Sequence, residues 1–157
     1  MSNTALDSGL LRKAMQFNGI FSTLSALVCL LFTQGVATFM GFGSEGVERV
    51  ASQGVTLLIF AAFLFATSSG FTKNKRTLLL VCGSVAVLLD VVWVVGSANV
   101  LVTGVMPLST PGKWGVAVTA VFVLDFAIFQ SLGLRRILRS FSRNSTPLNS
   151  ADFQDEK

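Results

Sequence analysis

Residues 78–99 read LLLVCGSVAVLLDVVWVVGSAN, a run whose only charge is Asp90. Residues 114–134 read WGVAVTAVFVLDFAIFQSLGL, and there Asp125 stands alone in the same way. A helix rises about 1.5 Å per residue, so a run of about twenty apolar residues crosses a hydrocarbon layer of roughly 30 Å. Both runs read as membrane spans. Neither holds a Lys, Arg or His to pair with its acid, and an ionisable group at that depth is costly unless it is hydrogen-bonded or functional.

Outward from these two runs, a window of one bilayer crossing finds two more. The spans are expected at about 17–42, 50–71, 78–99 and 114–134. Composition agrees: 52% of the residues are hydrophobic and 13% charged, which is too apolar and too sparsely charged for a soluble domain. The expected fold is all-α, a four-transmembrane-helix bundle. Residues 1–16 read as a cytoplasmic N-terminal segment, 135–143 as a basic amphipathic juxtamembrane segment and 144–157 as a disordered cytoplasmic tail.

Orientation follows from the basic residues. Arg12, Lys13, Lys73, Lys75, Arg76, Arg135, Arg136, Arg139 and Arg143 fall on one side, against Arg49 and Lys113 on the other. Short loops rich in Lys and Arg stay cytoplasmic, so both termini are expected inside. In 132–143 the apolar Leu134, Ile137, Leu138 and Phe141 share a face, and Arg135, Arg136, Arg139 and Arg143 take the others. That segment is expected to lie against anionic lipid headgroups. The pI of 9.6 does not point to nucleic acid, because the basic residues mark segment ends and gather on no single face.

The turns carry their own signals. Ser44 is expected to cap the second span, with Glu45 and Glu48 at its positive end. Thr110 followed by Pro111 fits an N-cap with proline at the first helical position. Ala62, Ala66 and Gly70, with Ala37 and Gly41, repeat every fourth residue and suggest close helix approach.

Counting from the nearest basic residue, Asp90 lies about 21 Å and Asp125 about 15 Å along their helices. The two spans form an antiparallel hairpin, so the carboxylates are expected at similar depth, facing into the bundle. Gly83, Trp93 and Ser97 share the Asp90 face, whereas Val118, Phe122, Phe129 and Leu132 share that of Asp125. Desolvation and a second nearby acid both favour a neutral carboxyl. Asp90 and Asp125 then read either as protonated interhelical contacts or as a proton or cation site. Asn18, Gln34, Gln53, Asn99 and Gln130 fall towards span ends, where headgroups or water would satisfy them.

Several chemistries are excluded. Without histidine there is no imidazole-held haem and no His-based triad. Cys29 and Cys82 lie in different spans and form no CxxC pair, and no phosphate-loop or nucleophile-elbow element occurs. No metal or cofactor is expected, and the chain does not read as an enzyme.

The elements Asn18-Gly19, Trp93-Val94-Val95-Gly96-Ser97, Phe126-Ala127 with Gln130, and Gly133-Leu134-Arg135-Arg136 resemble those of a group of small, uncharacterised bacterial four-helix integral membrane proteins. The likeness spans about residues 10–139. It implies a four-span topology in a bacterial inner membrane and supplies no site residues. The function expected is that of an accessory or scaffold subunit, partnered by a second copy or a larger membrane complex. The alternative is a small proton- or cation-coupled transporter or channel using Asp90 and Asp125.

Overall fold

The computed structural model describes residues 4–69 and 76–144, with side chains described for 9–69 and 77–139. Five helices follow one another: α1 Thr4–Leu31, α2 Thr33–Met40, α3 Gly46–Ser68, α4 Arg76–Thr103 and α5 Thr110–Asn144. Four of them carry stretches long and apolar enough to cross a membrane: Gly9–Leu31, Gly46–Ser68, Thr77–Thr103 and Thr110–Arg139. Large apolar side chains stand exposed along every span, among them Phe17, Ile59, Val92 and Val121. A surface of that kind fits lipid and not water. The chain is a small integral membrane protein built as an all-α four-helix bundle.

The helices are arranged around α1, which packs along α3 on one side and α5 on the other, while α4 packs along α5. Contact between α3 and α4 is slight, so the bundle is open along one seam. At the end that holds the start of α1 it is closed. Leu11, Met15, Leu64, Leu79, Ala86, Leu134 and Ile137 form a buried cluster there. The approach between α1 and α5 is tight: a Cβ on Gly133 would lie 2.9 Å from the backbone of Leu11. Arg12 Nη1 donates to the carbonyls of Ser68 at 3.0 Å and Ser69 at 2.8 Å, satisfying the last turn of α3.

Several boundaries differ from the sequence reading. The first span does not run unbroken through 17–42: its helix starts by Thr4, inside the segment expected to precede it, and breaks at Phe32 (φ −120°, ψ 34°). The Thr33 hydroxyl donates to the Leu30 carbonyl at 2.9 Å, competing with the helical ladder where Gly35 follows as a weak helix former. The fourth span and the juxtamembrane segment are one helix of 35 residues. Nothing between 134 and 144 interrupts it, and the early start of α1 provides a surface for it to pack on. Ile137, expected at the headgroups, is fully buried. Arg135, Arg136 and Arg139 are exposed as expected. The side chain of Arg143, the second loop with Lys73 and Lys75, and the tail from residue 145 lie outside the described residues.

The caps and the small-residue stripe also shift. Glu45, not Ser44, precedes α3 and makes no side-chain cap; the first amides go to backbone carbonyls instead, Gly46 N–H to Gly43 at 2.8 Å and Val47 N–H to Ser44 at 3.3 Å. Ser109, not Thr110, caps α5, its Oγ accepting the Gly112 amide at 3.0 Å. Ala62 and Ala66 face outward. The buried face of α3 is Gly46, Val50, Gly54, Ala61, Leu64, Thr67 and Ser68. The closest fit on it is Gly46, where a Cβ would overlap the Phe42 side chain, and further along the span a Cβ on Gly54 would meet the Leu30 side chain at 2.7 Å.

At the opposite end α2 is latched to the start of α5. Ser109 donates its amide to the Met40 carbonyl at 2.9 Å and its hydroxyl to that of Phe39. Gly41 ends α2 in the left-handed region (φ 87°), and a Cβ there would strike the Ser109 amide nitrogen at 2.5 Å. Only glycine meets both demands.

Candidate functional site

The buried polar cluster belongs to three helices. Asp90 on α4 is 2% exposed and accepts hydrogen bonds from Asn18 Nδ2 of α1 at 2.8 Å and Gln130 Nε2 of α5 at 3.1 Å. Both amides converge on the same oxygen, Oδ2. Among the described residues no hydrogen bond reaches Oδ1 and no cation pairs with the acid. Ser22, one turn along α1, donates to Asn18 Oδ1 at 3.4 Å, which fixes the Asn18 amide with its nitrogen towards Asp90.

The local sequence explains this placement. Gly83, Asp90 and Ser97 fall on the buried face of α4 as the helical spacing predicts, and Ala86 joins them; Trp93, expected on the same face, is 37% exposed at its edge. On α5 the buried positions are Val123, Ala127, Gln130, Leu134 and Ile137. Asp125 is not among them. It lies five residues before Gln130, about 7.5 Å along the helix and about 140° round it, and is exposed. The expectation that both acids face into the bundle therefore holds for Asp90 alone. Val118, Phe122, Phe129 and Leu132, the companions of Asp125, are likewise half or more exposed or nearly so, although Phe122 still reaches the Phe21 ring at 5.6 Å.

Asn18 and Gln130, read from sequence as groups satisfied by headgroups, are 1% and 0% exposed. They are the partners of Asp90. The reading missed them because it measured depth from the nearest basic residue, whereas α1 and α5 both continue past Arg12 and Arg135 as packed helix. Gln130 Oε1 is the one buried side-chain polar atom without a partner among the described residues. A 180° turn of the Gln130 amide would present Oε1 to Asp90, where a protonated carboxyl would donate to it. The same three side chains thus accommodate either charge state of the acid.

Above this cluster the open seam becomes a cleft of about 920 Å³. Asn18, Ser22, Asp90 and Ser97 contribute to its lining, together with Phe21, Phe60, Phe63 and Trp93. Arg49, Phe42, Met106 and Leu108 line its far end, next to α2. Asp90 therefore stands where the closed core ends and the cleft begins. No group of three or more potential metal ligands occurs among the described residues, and Cys29 and Cys82 are both free thiols. Comparison with known protein families, curated proteins and solved structures returned no match to this chain.

Proposed function

We propose that this membrane protein is a non-enzymatic accessory or scaffold subunit that works against another transmembrane chain, either a second copy or a member of a larger complex. The observation that carries the reading is Asp125, an acid exposed at lipid depth on an apolar helix face. An aspartate at the centre of a lipid-facing helix costs about 3 kcal/mol to insert. A partner helix that supplies a hydrogen-bond donor to Asp125 removes that cost, and Val121, Ile128 and Phe129 provide apolar contact around it. Asp90, whose donors all come from its own chain, has the different task of tying α1, α4 and α5 together. The resemblance supports a bacterial inner membrane, and the nine basic residues against two support cytoplasmic termini. Arg135, Arg136 and Arg139 then meet anionic headgroups.

The test is assembly size in native nanodiscs for Asp125→Leu. The wild type is expected to run as a complex and the variant as a single chain. An unchanged size would overturn the reading.

The cleft favours a second reading, a small proton- or cation-coupled transporter or channel. Asp90 and Asp125 do not form a coupling pair in this arrangement, so Asp90 would act alone. Flux in liposomes under a pH gradient, lost in Asp90→Asn and kept in Asp125→Leu, would select it.

A further inference from the structure

We propose that the seam between α3 and α4 is a binding site for a lipophilic organic cation, with Asp90 as its counter-charge. This goes beyond the subunit role, since it rests on the inner face of α4 and is independent of what covers Asp125.

Three observations converge on that chemistry. The cleft, at about 920 Å³, lies within the range of pockets that enclose small molecules, roughly 300–1,000 Å³. Its floor holds one acid, and the partners of that acid are two neutral amides that occupy Oδ2 and contribute no positive charge. An ionised Asp90 thus lacks a counter-ion among the described residues, and Oδ1 carries no hydrogen bond to compete with a ligand. The walls beside it are aromatic: Phe21, Phe60, Phe63 and Trp93. Aromatic faces attract a cation, most strongly where water is excluded. An acid at the floor and ring faces at the sides complement a cation clothed in apolar groups. A small hydrated ion finds only one carboxylate here beside scattered hydroxyls and amides, a poor replacement for the roughly six to eight oxygens such an ion takes.

The other charge on the cleft is consistent with a single occupant. Arg49 is exposed at the far rim, beyond Gly54, which packs on Cys29 of α1 eleven residues and so roughly 16 Å along the axis from Asn18, the partner of Asp90. It is too distant to neutralise the acid and disfavours a second cation at the mouth. Because α3 and α4 scarcely touch, the seam admits a ligand sideways from the bilayer, where a lipophilic cation concentrates.

The probe is tetraphenylphosphonium, titrated calorimetrically into the full chain in nanodiscs, with empty nanodiscs as the blank. Saturable binding of one cation per chain is expected. Tetraphenylborate, nearly the same shape with the opposite charge, should show no saturable binding. Asp90→Asn keeps an oxygen acceptor for the two amides and should bind the cation at least tenfold more weakly. Gly96→Phe provides a route that leaves the acid in place: Gly96 lines the cleft and a Cβ there meets nothing within 4 Å, so the ring fills the site without straining the fold. It should weaken binding at least fivefold. In a Trp114→Phe background, saturating cation should shift or quench the emission of Trp93. The proposal is overturned if the wild type shows no saturable uptake, if the borate binds as well as the phosphonium, or if Gly96→Phe binds like the wild type. Unchanged affinity in a folded Asp90→Asn, or Trp93 emission blind to the cation, overturns it equally.

Discussion

The two ends of this bundle are built from the same kinds of residue and behave differently. At one end Leu11, Met15, Leu79 and Ile137 interlock and Gly133 lets α1 and α5 nearly touch. At the other, α3 and α4 stand apart, and Ser109 at the start of α5 latches α2 through one amide and one hydroxyl hydrogen bond to its last carbonyls. In a membrane, apolar surface gains little by turning inward, since lipid is as apolar as leucine. Closure therefore depends on shape and on polar contacts. Where Gly83 and Gly133 let α1, α4 and α5 approach closely the bundle is shut, and between α3 and α4, where no glycine of either lies against the other, the seam stays open to lipid or ligand.

This contrast can be broken most forcefully at Gly133. Gly133→Leu drives a side chain into the Leu11 backbone and should destabilise the fold by about 3 kcal/mol, read from unfolding in mixed detergent. A cost as small as that of Gly96→Leu, which projects into the open cleft and should stay within about 0.5 kcal/mol, would erase the distinction between the ends.

The boundary between them is the next target. Asp90→Ala leaves the Asn18 and Gln130 amides without their shared acceptor and should cost about 2 kcal/mol. A neutral result would mean that the three side chains do not join the helices. At the latch, Ser109→Ala removes the cap of α5 and a bond to α2, with an expected loss of about 1 kcal/mol, visible as faster hydrogen exchange at Gly112. Exchange unchanged there would show the latch to be redundant. The smallest effect separates the two amides. Gln130→Leu removes a side chain whose Oε1 is already unsatisfied, so it should cost under about 1 kcal/mol and less than Asn18→Ala. The reverse order would give Gln130 the larger share of the contact.

Much of the architecture was legible because hydropathy over a bilayer-length window needs no tertiary knowledge. The four spans follow from it, the neighbouring α4 and α5 from their short connection, and the buried face with Gly83, Asp90 and Ser97 from helical spacing around the acid. The partners of Asp90 were not legible. Asn18 and Gln130 look superficial when depth is counted from Arg12 and Arg135, and only the extension of α1 and α5 beyond those arginines places them at the level of the acid. A rotational count along α5 carried more information than depth: Gln130 and Asp125 differ by about 140°, so one helix face cannot bury both. The break at Phe32 has no proline to announce it. Its signal is the adjacent Thr33 hydroxyl and Gly35, both weak when read alone.

The latch also imposes an order on biogenesis. At eight residues α2 is too short to hold a helix on its own, and its terminal carbonyls are bound by Ser109, about seventy positions later in the chain. The far end of the first span packs on α3 as well, but its last carbonyls find their partner only after α4 has been inserted and the start of α5 has arrived. Until then the end of α2 lacks its latch, and the last span to be synthesised is the one that completes the first.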